Sequence, residues 1–110
     1  MTKLKPDVLQ GTLALLVLKT LVRGPMHGYG ITLHIQRVSK DVLRVEEGSL
    51  YPALQKLLLK GWVTASPAVS ETGRSVREYR LTAGGRKQLD LERAKYRRTA
   101  QAIAAVLETA

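Results

Sequence analysis

The chain has 110 residues, enough for one domain with a real core; 45% of them are apolar, there is no Phe, and Trp occurs once. It has no cysteine, which excludes disulfides, thiolate catalysis and cysteine-based metal sites. Eighteen Lys and Arg against nine Asp and Glu leave a net charge of +9, a field that favours polyanions such as DNA, RNA or an anionic membrane surface.

A first helix is expected from Asp7, after Pro6, to Val22, where Arg23-Gly24-Pro25 stops it. Val8, Leu9, Leu13, Leu15, Leu16, Val17, Leu18, Leu21 and Val22 cover most of its circumference. A helix apolar nearly all round is buried on more than one side, and a domain of this size can hardly cover it alone, which points to a second subunit. The uninterrupted apolar run Leu13 to Leu18 is too short to span a bilayer, and no export stretch follows the lysines of the first residues, so a cytoplasmic protein is the expectation.

A second helix begins near His27 or Gly28 and runs to about Ser39, with Ile31, Ile35 and Val38 as its stripe and His27 able to cap it. Tyr29 stands between Gly28 and Gly30. A short extended piece, Val42 to Val45, leads to a third helix that starts at Gly48 or Ser49 and ends at Lys60-Gly61. Leu50, Leu54, Leu57 and Leu58 would pack inward, leaving Ser49, Pro52, Ala53, Lys56 and Lys60 on a face that is small, polar and basic. Pro52 fits the first turn, where a missing N–H costs little. Glu46 and Glu47, adjacent before the helix, suit its positive end better than an acid/base pair, which needs two opposed environments in one cleft.

Residues 62–66 and 76–81 have strand composition, and Pro67 to Ser75 reads as the hairpin loop between them. Thr82 can cap a fourth helix that continues to the end of the chain, with Leu89, Tyr96, Ala100, Ile103 and Leu107 on one face. Nine basic residues between Arg74 and Arg98 face three acidic ones. Three helices followed by a two-stranded wing is the winged helix-turn-helix arrangement, a mainly α, α+β fold in which the third helix enters the major groove and the wing touches the neighbouring backbone. The expected organisation is a winged domain over residues 1–81 and a C-terminal dimerisation helix over residues 82–110, packed as one unit.

Gly24-Pro25-Met26-His27-Gly28-Tyr29-Gly30-Ile31, Glu46-Glu47-Gly48-Ser49-Leu50-Tyr51-Pro52-Ala53-Leu54, Gly61-Trp62-Val63 and Glu78-Tyr79-Arg80-Leu81-Thr82-Ala83-Gly84-Gly85 resemble, in order and over nearly the whole chain, the PadR-like transcriptional regulators. The resemblance implies a bacterial winged-helix repressor that acts as a homodimer and releases DNA on binding a small, often aromatic or drug-like, effector. The short single C-terminal helix looks like the compact subgroup. Trp62 stands where members usually carry leucine or isoleucine, a departure that bears either on packing or on a ligand pocket; Trp62 and Tyr96 are the aromatic candidates to line one.

Ser49, Tyr51, Pro52, Gln55 and Lys56 are the residues expected at the DNA. Ser49 and Tyr51 offer hydroxyls to phosphate, Gln55 suits adenine edges, Lys56 suits guanine or phosphate, and Pro52 can touch a thymine methyl. Arg74 and Arg77 would add phosphate or minor-groove contacts from the wing, and Tyr29 a backbone contact near the start of the second helix. Leu9, Leu13 and Leu16 of the first helix with Leu89, Tyr96, Ala100, Ile103 and Leu107 of the last would form an isologous dimer contact, setting two reading helices about one DNA turn apart on a pseudo-palindromic operator. His27 and His34 have no carboxylate at metal spacing, and nothing resembles a nucleophile with its base, so no metal, cofactor or enzymatic activity is expected. The other reading is a winged-helix protein-interaction module that does not touch nucleic acid; the charge and the uncluttered helix face speak against it.

Overall fold

A computed structural model describes the backbone of residues 6–110 and the side chains from Thr12 onward, so the expected contact at Leu9 lies outside the described residues. The elements are α1 (Pro6–Leu21), β1 (Met26–His27), α2 (Gly28–Val38), α3 (Glu47–Leu59), β2 (Val63–Val69), β3 (Ser75–Leu81) and α4 (Ala83–Leu107). Order and type follow the sequence reading, with one addition. The sheet has three strands, not two: Met26 pairs with Tyr79 and His27 with Glu78, giving the order β1-β3-β2, all antiparallel. Two residues carry no periodicity of their own, so β1 exists only because β3 offers it an edge.

The wing strands also run further into the expected loop. β2 continues through Pro67, paired opposite Arg77, to Val69 opposite Ser75. β2 lies at the edge of the sheet, where proline's missing N–H leaves no partner unsatisfied. The true turn is short: the Ser70 amide donates to the Arg74 carbonyl at 2.8 Å, and Gly73 takes the left-handed conformation at φ 81°.

One core joins every helix to the sheet. Leu13, Val17, Leu18 and Leu21 of α1 meet Ile31 and Ile35 of α2, Leu50, Leu54 and Leu57 of α3, Val63, Tyr79 and Leu89. Each fully buried aliphatic side chain contributes about 2 kcal/mol of transfer free energy. Two of the expected dimer residues are spent here: Leu13 is 1% exposed and Leu89 4%, so neither is available to a second subunit. The expectation fails because periodicity marks a face as apolar without saying which chain covers it.

Caps and stops are local. The His27 Nδ1 accepts from the Gly30 amide at 3.0 Å, and the Thr82 hydroxyl accepts from the Gly85 amide at 3.0 Å. α3 begins one turn residue earlier than expected, with Glu46 at the N-cap and Glu47 in the first turn, near the positive end of the helix. Its other end is a Schellman stop. The Trp62 amide donates to Leu57 and the Gly61 amide to Leu58, both at 3.0 Å, with Gly61 at φ 74°. Between α2 and α3, Lys40 and Asp41 adopt left-handed conformations, held by the Asp41 amide donating to the Gln36 carbonyl at 2.9 Å and Gln36 Nε2 donating to Asp41 Oδ1 at 3.0 Å.

Candidate nucleic-acid interface

α3 anchors through Leu50, Leu54 and Leu57, which fixes the rotation of the helix and hence what it shows to solvent. Pro52, Gln55 and Lys56 are exposed, with no described residue covering them. Leu59 joins them: it is 79% exposed on the side away from the anchors. The sequence reading missed Leu59, because Leu57-Leu58-Leu59 looks like one apolar run; at 100° per residue the third leucine points away from the first two anchors.

The flanks of this face differ. On one side Ser49 is half-buried, and with Pro52, Ala53, Lys56 and Lys60 it borders a groove against Leu13 and Ala14 of α1 that Trp62 also lines. On the other side Tyr51, 49% exposed, lays its ring against the start of α2, where a Cβ on Gly28 would sit 3.3 Å from the tyrosine hydroxyl. Gly28 is therefore small because Tyr51 occupies the space, and Tyr51 acts as a spacer between α2 and α3 as well as an edge hydroxyl. Its neighbour Tyr29 is well exposed and stacks on His27, ring centroids 6.4 Å apart and nearly parallel.

The wing carries its arginines differently from each other. Arg74 is exposed in the turn between β2 and β3. Arg77 is not at the tip but within β3, on the same strand face as Tyr79, with its guanidinium 5.9 Å from that ring's centroid. Arg74 is thus placed for the expected contact from the wing turn, whereas Arg77 is already engaged with Tyr79. Arg80 lies 3.8 Å from Glu78, a loose surface pair that adds little. The Lys60 ammonium sits 5.3 Å from the Trp62 ring centroid.

Of the remaining expected contacts, Leu16 and Ala100 are half-buried, while Tyr96, Ile103 and Leu107 are exposed along α4. From Asp90 onward α4 extends beyond the core, and the molecule measures 56 × 33 × 21 Å. Among the described residues no helix is long and apolar enough to cross a membrane, and no cluster of His, Cys, Asp or Glu could hold a metal ion.

Residues 17–91 match the family model described as Transcriptional regulator PadR-like family. A transcriptional regulator from Clostridium thermocellum, Cth-833, superposes with a TM-score of 0.82 at 25% identity, covering 90% of this chain and 96% of that one. Bacillus subtilis PadR, solved in complex with operator DNA, superposes with a TM-score of 0.64 at 26% identity, covering 72% of this chain and 45% of that one. An uncharacterized 37.1 kDa protein in transposon TN4556 of Streptomyces fradiae is 42% identical over 78 residues; the match takes in 71% of this chain and 21% of that protein, so the chain spans about a fifth of the length of this curated relative.

Proposed function

We propose that this chain, which belongs to the PadR-like family of transcriptional regulators, is a homodimeric, sequence-specific DNA-binding repressor that a small-molecule effector releases from its operator. Members of the family regulate transcription and are not enzymes, so the site is one of recognition rather than chemistry. The observation that carries the reading is the face of α3: Pro52, Gln55 and Lys56 stand clear of the subunit on a helix rotated into place by three buried leucines. B. subtilis PadR, of the same fold, was solved with operator DNA.

On a duplex, α3 would occupy the major groove. Gln55 faces adenine edges, Lys56 faces guanine or phosphate, and Pro52 and Leu59 supply apolar contact to thymine methyls. Arg74 reaches the backbone beside the groove, and Ser49, Tyr51 and Tyr29 give hydroxyls to phosphates at its border. The dimer forms through the outer part of α4, with Tyr96, Ile103 and Leu107 exposed and Ala100 half-buried between them, and Leu16 of α1 at its edge. Two copies of α3 then address half-sites about one DNA turn apart. Repression is steric, by occupation of the operator.

Fluorescence anisotropy on the DNA upstream of the protein's own gene tests this, with a salt titration. Affinity should fall steeply with salt, and Lys56→Ala should weaken binding about tenfold and flatten the logarithmic salt slope by about one, with the melting temperature unchanged. Gln55→Ala should instead flatten discrimination at one base pair, a cost of about 1–3 kcal/mol. A chain that ignores both DNA sequence and salt is not an operator-binding protein.

A further inference from the structure

α3 carries the reading face and the outer part of α4 the proposed dimer contact, so the distance between two reading helices depends on how stiffly these two helices are joined. α1 packs on both of them. A second connection joins their ends directly. Gly61 and Trp62, whose amides close the stop of α3 on Leu58 and Leu57, also hold the start of α4. The Thr82 amide donates to the Trp62 carbonyl at 3.1 Å, and the Thr82 hydroxyl donates to the Gly61 carbonyl at 2.8 Å. The same hydroxyl accepts from the Gly85 amide at 3.0 Å, which caps α4. Gly85 is buried, and a Cβ on it would collide with the Trp62 carbonyl oxygen, so the first turn of α4 lies directly on the backbone that ends α3. The three hydrogen bonds and this close approach use one side chain, that of Thr82; every other group is backbone and cannot change rotamer.

We propose that Thr82 is a positioning residue for operator recognition: its hydroxyl ties the end of α3 to the start of α4, so that α4 sets the half-site spacing the dimer accepts. This role rests on the proposed function; the stiffness of the joint does not. Ile103 lies about 31 Å along α4 from Thr82 at 1.5 Å per residue. A tilt of about 6° at the joint displaces the far end of that length by about 3 Å, close to one base-pair step. A joint that yields by this much accepts two operators differing by one base pair in spacing, although each reading helix still fits its half-site. Capping alone does not account for the arrangement. A cap needs the side-chain oxygen only as an acceptor, which a carboxylate also provides. The bond to Gly61 needs a donor as well, and a hydroxyl supplies both from one atom.

Three variants separate the tie from the cap. Thr82→Asp keeps an acceptor for the Gly85 amide and loses the donor to Gly61. Thr82→Ser keeps both, and Gly85→Ala forces α4 off Trp62 by another route. Full-length proteins are titrated by fluorescence anisotropy with the footprinted operator, with the same operator carrying one base pair more or less between its half-sites, and with a single half-site. The parent and Thr82→Ser should lose at least tenfold in affinity on either respaced operator. Thr82→Asp and Gly85→Ala should lose less than threefold, with half-site affinity within threefold of the parent. A tenfold spacing penalty in both folded variants, no rescue by Thr82→Ser, or a loss on the half-site as large as on the whole operator would each overturn the proposal. A second readout needs no DNA. The chain has no cysteine, so Gln55→Cys and Arg98→Cys, both exposed positions, can carry the only two spin labels. Pulsed dipolar spectroscopy on labelled chains diluted in unlabelled protein then gives the distance from α3 to α4 within one subunit. The distribution should be narrow in the parent and Thr82→Ser and at least half again as wide in Thr82→Asp; equal widths overturn the tie. Widening in a protein whose parent binds no DNA upholds the stiff joint and contradicts the proposed function.

Discussion

α1 and α4 are the longest helices of the subunit, 16 and 25 residues, and they dispose of their apolar side chains in opposite ways. Leu13, Val17, Leu18 and Leu21 of α1 are all covered by the same chain, through α2, α3, α4 and β3. Only Gly85 and Leu89 of α4 are buried, while Tyr96, Ile103 and Leu107, which continue the stripe begun by Leu89, stand exposed. Among the described residues the apolar side chains of α1 are thus largely covered within the subunit, because a helix at the centre of a small fold has neighbours on several sides. The one-sided stripe of α4 differs: its first two turns lie on the core, and the rest extends about 27 Å further at 1.5 Å per residue with Tyr96, Ile103 and Leu107 exposed along it, which is where the proposed dimer contact would form.

The sharpest way to break this division is to change one residue in each half of that stripe. Leu89→Ala should cost about 3 kcal/mol of subunit stability in denaturant unfolding, as expected for a large-to-small change in a packed core. Ile103→Asp should leave the helical signal of the folded subunit intact and convert a sedimenting dimer to monomer. If Ile103→Asp lowers the stability of isolated subunits as much as Leu89→Ala does, the two halves are not distinct. Next in size is Gly85→Ala. A Cβ there would collide with the carbonyl oxygen of Trp62, a backbone atom that cannot rotate away, so a loss of about 2 kcal/mol is expected in the same assay. Thr82→Ala removes the hydroxyl that caps α4 and donates to the Gly61 carbonyl at 2.8 Å; about 1 kcal/mol should be lost, with the fold retained.

The smallest effect concerns pH. His34 is held below its ordinary value of 6.5, first by partial burial and then by the charges of Arg23 and Arg37. The folded state therefore binds this proton less readily than the unfolded chain. Stability is full above pH 6.5 and declines as the pH falls through and below that value, where the unfolded chain takes up the proton first. His34→Gln should flatten that decline in melting temperature between pH 7 and 5, and an unchanged slope would assign it to other groups.

Much of the fold was legible because its signals are local. Gly61 after a leucine-rich run, Thr82 three residues before Gly85, and the stops at Arg23-Gly24-Pro25 each depend on a few neighbouring residues, and each appears where the residue types require it. The long-range pairings were not legible. β1 needs Tyr79 and Glu78, some fifty residues away, and the continuation of β2 through Pro67 needs the knowledge that β2 is an edge strand. The same holds at the interface. The rotation of α3 could be read from Leu50, Leu54 and Leu57, but the half-burial of Ser49, the lean of Tyr51 on Gly28 and the seat of Arg77 over Tyr79 all depend on what other elements place beside them.

By itself, then, the order of residues determined where helices start and stop, which face of each is apolar and how strongly positive the surface is, since these follow from backbone geometry, capping chemistry and charge counted along the chain. Only the tertiary arrangement decided which apolar residues the subunit consumes and which it leaves bare, and that Trp62, Lys56 and Lys60 line one groove with Leu13 and Ala14 of α1. Those outcomes are set by distances between segments far apart in the chain, and a burial or a contact has no value until both of its partners are in position.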